Sequence, residues 1–236
     1  MDHPNRPAAE HAWHIAQRWQ QFDGELRANL LRIAAVGVFY CLHCWNYLGA
    51  QGKLPAWLSS PTLDKLSALA ALGKADFVVD KRFHLLATLL ALAWILVAAA
   101  VHLCLRNRVF PRGLSATVAA FDLVLLTAVL CISNGPRSPV VAAYFLVIVL
   151  SGLRFDLRLV RLTTVGAALG YLCVLGMAKW PATFGRPADL DVRVPRYHQL
   201  VTLAAIVLCG IFVGQIVRQV RIAAEEYAER RNKERA

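Results

Sequence analysis

Six apolar runs, each about 20 residues long, constrain this chain more than any motif does. They cover 28–49, 84–105, 115–133, 139–155, 159–178 and 198–218. A helix of about 20 apolar residues crosses the hydrocarbon core of a bilayer with its backbone groups bonded internally. The runs therefore predict an all-α, polytopic membrane protein, a six-transmembrane-helix bundle. Its expected parts are a cytoplasmic or interfacial segment (1–27), the bundle (28–218) and a C-terminal cytoplasmic helix (219–236). Composition agrees, with 58% hydrophobic and 17% charged residues, against about 45–50% and about 25% in soluble domains.

The breaks between runs set the orientation. The short connection "RNRVFPRG" is dense in Arg, whereas "NGPRSP" holds one. Arg-rich short loops stay in the cytoplasm, so both termini are expected inside a bacterial cytoplasmic (inner) membrane. The net charge of +11 belongs to these flanks, and no nucleic-acid motif accompanies it. The first 27 residues lack the apolar core and cleavage site of a signal peptide, so the first run is expected to remain as an uncleaved span. Two outer connections are long. "SSPTLDKLSALAALGK" reads as a short amphipathic helix, with Ser60 as its start and Gly73 as its stop. The Pro-rich 179–197 reads as irregular, with Trp180 and Tyr197 at the level of an aromatic belt.

Chemistry-bearing residues are few. Cys41 and Cys44 in "FYCLHCWNYLG" are three apart and share a helix face, while His43 points elsewhere. A metal would have to combine Cys41 and Cys44 with His84 and His198, which begin later runs at the same outer depth. No metal is expected from this spacing, and nothing selects a haem-binding His pair. All six Cys lie in apolar runs and read as small hydrophobes. Asp122 is the most informative residue. A charge inside a span costs at least about 2.5–3.5 kcal/mol on insertion scales, so it must face protein and find a partner. Arg32 and His102 lie at compatible depth, which predicts an intramembrane polar cluster of Arg32, His102 and Asp122. No paired carboxylates, Ser/His pairing or metal spacing suggests an enzyme.

The stretch "SNGPRSPVVAAYFL" breaks the apolar pattern. Gly135 and Pro136 suit a turn, Ser138 a helix cap and Pro139 a first helical turn. Arg137 is the residue a turn does not require. Asn134, Gly135, Arg137, Ser138 and Pro139 are therefore the candidate ligand-binding residues, near the outer face. In the last run Val213, Val217, Val220, Ala224 and Tyr227 are spaced 4, 3, 4, 3, a seam leading into the cytoplasmic helix.

Six spans, this third-to-fourth turn and a sixth span continuing as a helix resemble the membrane input region of bacterial sensor proteins. The turn is similar to the Gly-Gly-x-x-Asn-Pro-Phe signature of RegB/PrrB-type redox sensor kinases. Gly135 and Pro139 match it, while Asn134, Ser138 and Val140 replace its first Gly, its Asn and its Phe. "FDLVLLT", "GPRSPVVAAYFLVI", "LRFDLRLVR" and "RVPRYHQL" resemble an uncharacterised six-span region of planctomycete-type bacterial proteins, found ahead of kinase or cyclase domains. The resemblance implies a sensor-input or anchor protein, with quinone as the one cofactor to consider. It also implies a homodimer, or a kinase-type or cyclase-type output partner in the cytoplasm, since these 236 residues hold no kinase or cyclase signature. A small ion-coupled carrier built on Asp122, and a structural subunit of a larger membrane complex, are the alternatives.

The topology has a direct check. A periplasmic reporter enzyme fused after Pro139 is expected to be active, and the same fusion at the C-terminus inactive.

Overall fold

The computed structural model describes residues 6–51, 81–107, 111, 113–184 and 193–235. Among them there is no strand. The helices are α1 (Arg6–Ala50), α2 (Lys81–Arg106), α3 (Leu114–Ile132), α4 (Ala143–Gly152), α5 (Leu157–Lys179) and α6 (Arg196–Arg235), with short 3-10 turns between some of them. The amphipathic helix expected between Ser60 and Gly73 lies outside the described residues, as does 185–192 of the Pro-rich connection.

Among the described residues, five helices contain stretches long and apolar enough to cross a membrane: Phe22–Gly49, Lys81–Arg106, Leu114–Ile132, Leu157–Lys179 and Arg196–Ala224. The surface supports that role, because large apolar side chains point outward. On α2, Leu85, Leu89, Leu92, Leu96 and Leu103 are all exposed. A soluble domain rarely shows so continuous an apolar face.

Two sequence expectations change. Residues 1–27 were set apart from the first span, yet Arg6–Ala50 forms one 45-residue helix. No Pro occurs between Pro7 and Pro55 to stop it, and an Asp23–Arg27 pair at 2.7 Å supports the helical turn just before the expected boundary. The fourth run is also shorter than its apolar length. It has four residues of 3-10 helix, Pro139–Ala142, followed by the ten of α4. Together they reach about 23 Å, against about 30 Å of hydrocarbon. The helix ends where Phe155 adopts a left-handed φ of 52°. Leu153 and Phe155 are apolar but lie in the turn, so apolarity overstated the helix.

Packing centres on α5, which contacts α3, α4 and α6. The core between them holds Leu126, Leu130, Tyr144, Ile148, Tyr171 and Ile206. Glycines let the backbones approach. A methyl on Gly170 would sit 2.7 Å from Thr127 Oγ1 and 2.8 Å from the Tyr144 hydroxyl. Those two oxygens share a hydrogen bond of 2.8 Å. Gly210 of α6 likewise seats against Thr164 of α5, and Gly152 meets Val213. The first part of the predicted seam on α6 is thus used inside the chain. Val217 is buried, while Val220, Ala224 and Tyr227 are exposed. At the other end of α6 the exposed Trp180 and Tyr197 flank the connection, and the Lys179 ammonium lies 4.6 Å from the Trp180 ring. The described cysteines are all free, and Cys41 and Cys173 face outward instead of into the core.

Overpacking at the α3–α5 contact should be measurable. Gly170→Ala is expected to lower stability by about 1–3 kcal/mol. Gly176→Ala, where an added methyl meets nothing within 4 Å, should be neutral or slightly stabilising. Thermal unfolding of the purified protein in mild detergent, followed by helical circular dichroism, reads both.

Candidate functional site

Helix α1 carries a polar stripe. Glu25, Asn29 and Arg32 are spaced four and three apart, with Ala28 and Val36 beside them, and all five are buried. That spacing puts them on one face, and the face is turned to the bundle. Close backbone contact ties α1 to α2. Side chains tie it to everything else.

The first tie is the Arg32–Asp122 pair. Arg32 Nε donates to both Asp122 oxygens at 2.9 and 3.0 Å. Trp94 of α2 donates its indole N–H to Asp122 Oδ1 at 2.8 Å. Arg32 Nη1 donates to Asn29 Oδ1 at 2.7 Å, and Asn29 donates to the Ala98 carbonyl at 3.1 Å. Three helices are thereby joined through one carboxylate. His102 takes no part. It is exposed on α2, eight residues and about 12 Å along the helix from Trp94. The expected cluster of Arg32, His102 and Asp122 is corrected to Arg32, Asp122 and Trp94.

The second tie was not anticipated from sequence. Glu25, with 0% of its surface exposed, accepts from Arg154 Nη2 at 2.7 Å and from Ser115 Oγ at 2.7 Å. Arg154 also donates to the Ser115 carbonyl at 3.3 Å. The pair fixes α1 and α3 to the turn after α4. Gly24 permits the approach, since a methyl there would lie 2.6 Å from the Leu153 carbonyl oxygen.

Between α1 and α4 the chain leaves a crevice of about 80 Å³. Phe39, Val36 and Ala35 form one wall, and Val140, Ala143, Leu146, Val147 and Leu150 the other. Trp94, Arg32 and Asp122 lie at its base with Leu126 and Val129. The walls expose only apolar surface, because the polar atoms beneath bond to one another. Such a space suits an apolar chain, not a polar head group.

The sequence-predicted turn immediately precedes Val140, at one end of this crevice. Gly135 needs its left-handed φ of 59°, and it and Pro136 are buried. Ser138 Oγ accepts from the Val140 N–H at 3.3 Å and caps the helix that begins at Pro139. Asn134 is half-buried and Pro139 exposed. Arg137 is exposed and donates through Nε to the Arg193 carbonyl at 3.0 Å, while Arg193 reaches the Lys179 carbonyl at 3.5 Å. Arg137 therefore pins the segment before α6 to the turn.

The residues considered for a metal separate. Cys41 is exposed, Cys44 half-buried, and His198 exposed on α6. His84 is met instead by the buried His43, Nε2 to Nδ1 at 3.0 Å, with Tyr47 stacked on its ring at 3.9 Å. Sequence spacing had turned His43 away from Cys41, which is correct, but the face it turns to is the one that meets α2. Among the described residues no group of three or more His, Cys, Asp or Glu side chains has metal-binding geometry.

Comparison with protein-family models, with curated proteins and with solved structures finds no match.

Removing one member of a buried ion pair costs about 3–5 kcal/mol, whereas replacing both by apolar residues is often neutral. Asp122→Ala should therefore destabilise strongly, and Arg32→Met with Asp122→Leu should recover most of the loss. Unfolding midpoints of the two variants in the same detergent test this. A double variant no better than the single one would mean that Trp94 and Asn29 hold the site.

Proposed function

We propose that this chain is a membrane-embedded sensor-input protein of the bacterial inner membrane, crossing it six times with both termini in the cytoplasm. The ligand is lipophilic. Its apolar tail lies in the crevice between α1 and α4, and its polar head at the outer turn, Asn134 to Pro139. Quinones have this shape, a carbonyl-bearing ring on an isoprenoid chain, and the likeness of the turn to the redox-sensor signature favours them. The observation that carries the reading is the crevice itself, an apolar slot that opens between two helices joined mainly through buried polar contacts. The short fourth helix completes the sixth crossing with help from the Glu25–Arg154 pair beneath it.

A ligand changes output only by binding one conformation better than another. Here the movable parts are α1 and α4. Helix α4 packs against α6, and α6 runs on as one helix of 40 residues, about 60 Å long. A shift of α4 has a rigid route to the cytoplasmic end, where a second copy or an output protein of kinase or cyclase type would read it.

A ubiquinone analogue with a photoreactive group on its tail tests the site in proteoliposomes. Labelling is expected on peptides containing Phe39 and Leu146, and about tenfold less in an Ala35→Phe, Ala143→Phe variant that fills the slot. Labelling that follows lipid exposure alone, with the outward leucines of α2 marked as heavily and the filled variant unchanged, would refute the assignment.

A further inference from the structure

A second groove runs between α5 and α6, and its two ends differ in chemistry. Leu157, Val160, Val165, Val207 and Ile211 make it apolar, and Arg161 and Arg218 both line it. It encloses about 330 Å³, several times the crevice beside α1. Glycines on α6 shape it. Gly210 is filled by Thr164 of α5, but an added methyl on Gly214 meets nothing within 4 Å. The groove is therefore open beside Gly214.

The two arginines are exposed, and among the described residues neither has an acidic partner or a hydrogen bond. Asp156, the acid nearest in sequence to Arg161, is engaged in capping α5, accepting the Arg158 N–H at 2.8 Å, and the acids nearest to Arg218, Glu225 and Glu226, lie about two turns further along α6. Arg158 and Arg221 add exposed positive charge beside the groove. Arg161 sits one turn inside the start of α5, and Arg218 lies eight residues beyond Gly210 on the antiparallel α6. Arg161 lies four residues after the start of the Leu157–Lys179 span and Arg218 six residues before the end of the Arg196–Ala224 span, near the ends of both, where a long Arg side chain can reach lipid phosphates. Two guanidinium groups above an apolar slot match a phosphate above an acyl chain in charge and in shape.

We propose that the α5–α6 groove is a binding site for an anionic phospholipid of the inner leaflet. Arg161 and Arg218 hold the head-group phosphate, and one acyl chain lies along Val165, Gly210, Ile211 and Gly214. The bound lipid fastens α6 to α5 at the point where α6 leaves the membrane.

The test is native mass spectrometry of the full chain in detergent, with phosphatidylglycerol or phosphatidylcholine added at equal concentration. Retention of phosphatidylglycerol is expected to exceed that of phosphatidylcholine by roughly tenfold or more, given about 1 kcal/mol per Arg at a lipid surface. The preference should disappear in Arg161→Gln, Arg218→Gln and persist in Arg221→Gln, which leaves the groove intact. Gly214→Leu should weaken binding of both lipids by filling the slot. Equal retention of the two lipids, or an unchanged preference in the double variant, overturns the proposal. So does a dimer that Gly214→Leu dissociates while lipid retention stays constant, because the groove would then be a seat for a second copy.

Discussion

Two buried ion pairs decide how the first helix belongs to this protein. Helix α1 has its broadest backbone contact with α2 and meets the turn after α4 at Gly24, while Arg32–Asp122 and Glu25–Arg154 tie it to α3 and to that turn. In lipid there is little hydrophobic force to press helices together, and polar contacts carry more of the specificity. Each carboxylate here also receives a neutral donor, Trp94 for Asp122 and Ser115 for Glu25. A buried charged pair is favoured when its remaining hydrogen-bonding capacity is met; these neutral donors serve the two carboxylates, while the buried Arg154 Nε has no hydrogen-bond partner among the described residues. The two pairs lie seven residues apart on α1, about 10 Å along the helix. They therefore fix both its rotation and its tilt.

The short fourth helix follows from the same constraint. A crossing of about 23 Å would leave several ångströms of hydrocarbon uncovered, where exposed turn backbone could not face lipid. Gly24 and Glu25 of α1 close over that turn, so the backbone of Leu153 and Arg154 is covered by protein. Along the rest of α4, from Val140 to Leu150, the crevice separates it from α1. The fourth helix is thus held to α1 at the turn that follows it and, by its opposite face at Tyr144 and Ile148, to the core.

Much of this was legible in the sequence, and the rest was hidden for identifiable reasons. Asp122 demanded a buried partner, and Arg32 was the cation at matching depth in the neighbouring run. Trp94 was missed because an indole N–H does not stand out among apolar residues, whereas His102 did stand out and is exposed away from Asp122. Glu25 fell in the polar segment 1–27 and Arg154 at the very end of the fourth run, places where a charge need not find a partner. The signal against that was the spacing of Glu25, Asn29, Arg32 and Val36, which continues one face of a helix across the supposed boundary. His43 was placed correctly relative to Cys41, but spacing within one helix does not say which face is inward. The length of the fourth helix was set by the backbone at Phe155, which composition does not encode.

The arrangement also bears on what kind of machine a bundle like this makes. A carrier moving an ion by way of Asp122 would need that carboxylate to exchange partners during each cycle. Here Asp122 accepts from Arg32 Nε through both oxygens and from Trp94, and Arg32 is held by Asn29. Releasing it would leave two charges unpaired in hydrocarbon. A carboxylate that costly to release acts as a fixed tie between α1, α2 and α3. The crevice between α1 and α4 lies over that tie, since Arg32 and Asp122 line it together with Val36 and Val147. An occupant would meet one face of α4 while the opposite face, at Tyr144 and Ile148, is packed into the core.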